Sequence, residues 1–188
     1  MKIYAVKPDS SFRLMFPEAS VYDSENWEFK CESLAGKLPL HFEAYFSDKN
    51  EKPFPDIAWI GMSTFAFRED VATELLDILE EAGELLPFKV NGQQWYCLNV
   101  LTKSDNAIDH EKSKYEIEDG EMRFGLKTPV FVAESLPKSS LFKIEDDNYT
   151  TTYCIDNRKS DEDVLSNFFC AISGHGYTGL KFELLAQS

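Results

Sequence analysis

Leu86-Pro87-Phe88-Lys89-Val90-Asn91-Gly92-Gln93-Gln94-Trp95-Tyr96-Cys97-Leu98-Asn99-Val100-Leu101 is the stretch whose reading settles the kind of fold. Asn-Gly suits a type I′ turn best, because both central residues of that turn need positive φ. The runs on either side, 86–90 and 93–101, are rich in apolar and aromatic residues and read as the two strands of a hairpin. The second strand sets Tyr96, Leu98 and Val100 on one face and Trp95, Cys97 and Leu101 on the other. A strand apolar on both faces belongs in the interior of a sheet or is covered on both sides.

Upstream of this hairpin lies the clearest periodicity in the chain. Residues 68–82 read as a helix ending at Gly83. At about 100° per residue, Val71, Leu75, Ile78, Leu79 and Ala82 share one arc. Glu69 and Asp70 sit in its first turn, where negative charge suits the helix dipole. Residues 56–67 precede it as buried extended chain. Downstream, 114–117 and 122–126 form a second hairpin across Glu118-Asp119-Gly120-Glu121, and 129–133, 141–144 and 150–155 are further strands. Ser160 reads as the N-cap of a helix running to about Ser173 and stopping at Gly174, with Val164, Leu165, Phe168 and Ile172 as its apolar stripe. Residues 177–185 close the chain as a strand.

Before residue 56, 2–6 alternates as a strand. Strands near 12–16 and 41–46 and a short helix over 27–34 follow, in a stretch broken by Pro17, Pro39, Pro53 and Pro55. Strands joined by short hairpins, with two main helices, predict an α+β fold: a mixed or mainly antiparallel sheet with two helices packed on it. The cluster of charge and proline at 49–55 divides the sequence into an N-terminal strand and loop region, 1–55, with the makings of a small lobe, and an α+β domain, 56–188.

The 188 residues carry 19 Lys and Arg against 33 Asp and Glu, a net charge of -14. That balance disfavours nucleic acid and anionic membrane surfaces as partners, since both recruit clustered cations. No apolar run reaches the about 20 residues of a membrane-spanning helix, and the start of the chain is charged too early for a signal peptide. The expected setting is soluble and cytoplasmic. Cys31, Cys97, Cys154 and Cys170 are widely spaced and read as buried free thiols rather than a zinc site.

Catalytic signatures are sparse. His41, His110 and His175 share no metal-ligand spacing, and no phosphate-binding or dinucleotide glycine loop is present. Asp109-His110-Glu111 and Gly174-His175-Gly176 are the places where acid–base chemistry could sit, although a solvated loop and a helix cap are the plainer readings. The paired acids Glu80-Glu81 and Asp146-Asp147 read as solvated. These patterns name no reaction, and no cofactor or metal is expected.

What stands out is charge. Between Glu69 and Glu84 there are seven acids, Glu69, Asp70, Glu74, Asp77, Glu80, Glu81 and Glu84, and no Lys or Arg, which is half of the net charge. A solvated outer face is the plain reading of such a helix. Like charges at helical spacing nevertheless repel by roughly a few tenths of a kcal/mol per pair. A face that tolerates this is a candidate for steering a basic partner.

The order of short motifs over residues 56–185 resembles the family-11 immunity proteins of bacterial polymorphic toxin systems, a group first catalogued as a domain of unknown function. The motifs are Phe65-Ala66-Phe67 leading to Leu75-Leu76, then Leu85-Leu86-Pro87-Phe88, and Trp95-Tyr96-Cys97-Leu98-Asn99-Val100. Ala107-Ile108-Asp109 with Ser113, Pro129-Val130-Phe131 and Leu141-Phe142 follow, and Gly176-Tyr177-Thr178-Gly179-Leu180-Lys181-Phe182 closes the series. Arg68 stands near the place where the family commonly has serine. Residues 1–55 carry no part of the resemblance. It implies a non-catalytic protein that binds and neutralises a cognate toxin. With the acidic helix as an electrostatic contact, that toxin is expected to be basic. The alternatives are a small-molecule or regulatory binding module, or an enzyme using Asp109, His110 or His175.

Overall fold

The computed structural model describes residues 1–18, 29–37, 42–47, 51–60, 64–118 and 122–187. Its centre is a closed barrel of six strands: β2 (Met15–Pro17), β3 (Phe42–Phe46), β4 (Ile57–Ile60), β5 (Thr64–Arg68), β6 (Gly83–Val90) and β7 (Gln93–Val100). The order around the barrel is β2-β3-β6-β7-β5-β4. The β3–β6 and β2–β4 contacts are parallel and the other four antiparallel. β6 and β7 are the expected hairpin, with Asn91 at φ 49° and Gly92 at φ 79°, both positive as a type I′ turn requires. Trp95 and Cys97 face the barrel interior with Met15, Phe42, Phe46 and Phe88. Tyr96, Leu98 and Val100 face outward into a second core. β7 is thus covered on both sides, and closure leaves the barrel without open edges.

A second sheet holds β1 (Lys2–Pro8), β10 (Leu141–Phe142), β11 (Thr152–Asp156) and β12 (Leu180–Gln187) in the order β10-β11-β1-β12, all antiparallel. One of its faces, with Tyr4, Val6, Leu141 and Cys154, packs towards the barrel. The other, with Ile3, Phe142, Tyr153 and Ile155, is covered by Ala107, Ile108 and Phe131. β8 (Lys114–Glu118) and β9 (Met122–Thr128) form the second expected hairpin; its turn residues 119–121 lie outside the described residues. Residues 129–133 give only an isolated bridge, Ile108 to Phe131, and a 3-10 turn at Ala133–Ser135 in place of a strand.

The α+β class holds in its coarse form, whereas the single sheet with two main helices does not. The barrel, the four-stranded sheet and the two-stranded β8–β9 hairpin replace the single sheet, and among the described residues four short helices stand where two were expected: α1 (Glu69–Glu74), α2 (Leu76–Ala82), α3 (Asp161–Leu165) and α4 (Phe168–His175). α1 and α2 are the expected helix interrupted at Leu75, where ψ opens to 11°. The bonds Leu75 N to Val71 O and Leu79 N to Leu75 O persist across the break, so the buried arc of Val71, Leu75, Ile78, Leu79 and Ala82 stays continuous. α3 and α4 part at Ser166 and Asn167. Ser160 caps α3 through a capping box with Asp163, and Asn167 caps α4 by accepting from Cys170 N. The restart disrupts the expected stripe: Phe168 and Ile172 are buried, but Val164 is exposed and Leu165 is 80% exposed. Gly176, at φ 68°, ends α4, not Gly174.

Upstream of residue 56, β1 lies in the second sheet while β2 and β3 belong to the barrel, so a division at 55 crosses both sheets. Residues 29–34 are not helical, and Cys31 takes a φ of 57°. They form a strap that buries Phe29 and Leu34 with the barrel interior. Residues 27 and 28 of the expected helix there, and residue 41 of the expected 41–46 strand, lie outside the described residues.

Candidate functional site

The acidic face is built by β5 running directly into α1. Arg68, the last residue of β5, takes both oxygens of Asp70, Nε to Oδ1 at 2.6 Å and Nη2 to Oδ2 at 2.8 Å, and reaches Asp56 Oδ1 from Nη1 at 3.0 Å. The Arg68 guanidinium holds the Asp70 carboxyl below its usual range. Asp70 is therefore ion-paired in place by a cation outside the 69–84 window, which Asp56 shares.

Glu69, Glu74, Asp77, Glu80 and Glu81 all point to solvent. His175 Nε2 stands 4.0 Å from Glu74 Oε1. Leu76, 39% exposed, places an apolar side chain among these carboxylates. The sequence contains the pair Leu75-Leu76, but only one of two adjacent leucines on a helix can meet the core. Leu75 does so, and Leu76 is left outside.

Glu84 leaves this face. It belongs to β6, where alternation with Leu86, Phe88 and Val90 turns it towards the mouth of the barrel. There it accepts from Leu34 N at 2.6 Å, Asn99 Nδ2 at 2.8 Å and Ser33 Oγ at 2.9 Å. Partial burial disfavours its charge, but these donors outweigh that and hold its carboxyl below the usual range. Helical periodicity placed Glu84 with the other six acids; the strand that begins at Gly83 removes it.

The candidate acid–base residues have separate partners. Asp109 does not orient His110; its Oδ2 binds Lys112 Nζ at 2.6 Å. His110 instead bridges two elements, with Nδ1 hydrogen-bonded to the Tyr115 hydroxyl and Nε2 3.4 Å from Asp146 Oδ1. His175 stacks on Tyr177 at the end of α4. Asp147 accepts from Thr151 N and the Tyr153 hydroxyl, and burial pushes its carboxyl up. Among the described residues no group of three His, Cys, Asp or Glu side chains is arranged to hold a metal ion. All four cysteines are free; Cys97 and Cys154 are buried, and Cys31 and Cys170 are half-buried. No helix among the described residues is long and apolar enough to cross a membrane.

A cleft of about 650 Å³ opens beside Glu81, with Lys138, Ser140, Asn157, Lys159 and Asp163 on its wall. Exposed aromatics gather elsewhere: Phe16 stacks on Tyr45, and Arg13 lies over the ring of Phe54. Phe16 and Tyr45 lie on β2 and β3, which stand across the barrel from the β7 and β5 strands on which α1 packs; α2 packs on β6.

No protein-family model matches the chain, and no curated protein matches it. The motifs that resemble the family-11 immunity proteins therefore stand on their order and spacing alone.

Proposed function

We propose that this chain is an immunity protein that neutralises a cognate, basic toxin by stoichiometric binding in the cytoplasm. The observation that supports this reading is the exposed face of α1 and α2, where Glu69, Glu74, Asp77, Glu80 and Glu81 surround the apolar Leu76. Five carboxylates on two short consecutive helices repel one another. A cationic partner relieves that repulsion on docking and is drawn in faster. Leu76 supplies the apolar contact that charge alone lacks.

The polar wall of the 650 Å³ cleft differs from the mainly apolar lining of small-ligand pockets, which weakens the binding-module reading. Asp109, His110 and His175 each engage local partners, which weakens the enzyme reading.

The experiment is a search of the adjacent genes for one encoding a toxin domain, followed by co-expression of this chain with it. Rescue of growth and co-purification are expected; failure of both overturns the immunity reading. The surface is tested separately, with Glu74→Lys, Asp77→Lys, Glu80→Lys and Glu81→Lys combined. Association at low salt is expected to slow by about tenfold or more. An unchanged association rate removes the helix face from the interface while leaving the immunity reading standing.

A further inference from the structure

β12 lies at the edge of the second sheet. Among the described residues it pairs with β1 alone, so eight residues present an outer edge with no strand beside it. An open edge of that length is a template for another chain, and proteins usually blunt such edges with charge, proline or a covering segment. Here the edge reads Leu180-Lys181-Phe182-Glu183-Leu184. The order of chemical types is the same from either end, except that the two charges exchange sign about Phe182.

The β1 register shows which residues share a face. Leu180, Phe182 and Leu184 lie beside Pro8, Val6 and Tyr4, and Lys181 and Glu183 lie beside Lys7 and Ala5. Lys181 and Glu183 are exposed, and Leu184 is 50% exposed.

We propose that β12 is the interface of a homodimer, in which two copies of this chain pair antiparallel about a twofold axis through Phe182. Leu180 of each copy then faces Leu184 of the other, Lys181 faces Glu183, and the two Phe182 rings meet at the axis. Two four-stranded sheets become one of eight strands. The interface is isologous, as closed twofold symmetry requires. Charge also fixes its register. Moving the axis one residue either way sets Lys181 against Lys181 or Glu183 against Glu183, and like charges directly opposite destabilise a strand pair. The same two charges that deter unrelated strands are complementary to themselves in this one alignment. Asp9 Oδ1 holds Lys181 Nζ at 3.0 Å, which orders the ammonium while leaving it donors for a second carboxylate.

Light scattering coupled to size exclusion, across a concentration series of the full chain, tests this directly. The unaltered chain is expected to dimerise. Lys181→Glu and Glu183→Lys each create two like-charge contacts and are expected to weaken the dimer about tenfold or more. An equimolar mixture of the two variants restores both ion pairs, so it is expected to form a heterodimer that neither variant forms alone. A monomeric unaltered chain, undiminished self-association of the variants, or a mixture that stays monomeric overturns the proposal. Circular dichroism verifies folding. If Lys181→Glu does not fold beside Asp9, Glu183→Lys decides alone: a lost dimer supports the interface and a retained one overturns it.

Discussion

Lys143 is 1% exposed and its ammonium donates to the Phe29 carbonyl at 2.8 Å, which ties the strap over residues 29–34 to the second sheet. Cys31 and Asp147 are among the titratable groups that act on it. Burial lowers its pKa from 10.5 to about 8, against the pull of those two groups. In the unfolded chain Lys143 keeps its proton until about 10.5. Between those two values the unfolded state holds more protons than the native state, so this group's contribution to stability rises with pH. Below about 8 it is charged in both states and the full desolvation penalty applies. Burial pushes the Cys31, Cys97 and Cys154 thiols up, which makes stability fall as pH rises over much of the same range. The difference between the unaltered chain and Lys143→Met isolates the lysine. Urea midpoints taken from neutral pH upward are expected to converge or cross as pH climbs through 8 to 10.5; parallel profiles would show that Lys143 titrates normally. The sequence alone gave Lys143 no distinction, because nothing local marks a lysine that a distant strap will cover.

At the scale of elements, α1 and α2 kept the arc read from sequence, because apolar spacing fixes which side of a helix is buried whatever it packs against. α3 and α4 did not, since Asn167 offers a second cap in mid-helix and the chain takes it. α4 continues through Gly174 to His175, and a Cβ at Gly174 would meet open space. Gly174→Ala is therefore expected to stabilise the protein by about 0.5–1 kcal/mol, since glycine inside a helix loses more backbone freedom than alanine. Thermal unfolding checks this. A lowered midpoint would mean that α4 stops where the sequence placed its end, at Gly174.

At the scale of the whole molecule, the barrel and the four-stranded sheet meet through the segment before β12. Asp56 accepts from Thr178 N at 3.0 Å and from the Thr178 hydroxyl at 2.7 Å, and the same carboxylate binds Arg68. Gly179, at φ 104°, lies so close to β4 that a Cβ would stand 1.9 Å from the Ile57 carbonyl oxygen. Gly179→Ala is expected to destabilise by at least about 2 kcal/mol, from combined steric and backbone strain. Because the site joins barrel and sheet, near- and far-ultraviolet circular dichroism should still report one coincident transition. A midpoint unchanged from the parent would place the loop elsewhere. Sequence by itself determined the β6–β7 hairpin, the two-faced burial of β7, the buried arc of α1 and α2 and the concentration of acids beside it, because each depends on neighbours within a few residues. Tertiary structure decided that the sheet closes into a barrel, that Glu84 is turned to the barrel mouth, and that β12 is left at an edge. Those outcomes depend on pairings such as Met15 with Ile60 and Ala44 with Val90, or Val6 with Phe182, between residues distant in the chain. Local periodicity carries no record of which strands will meet.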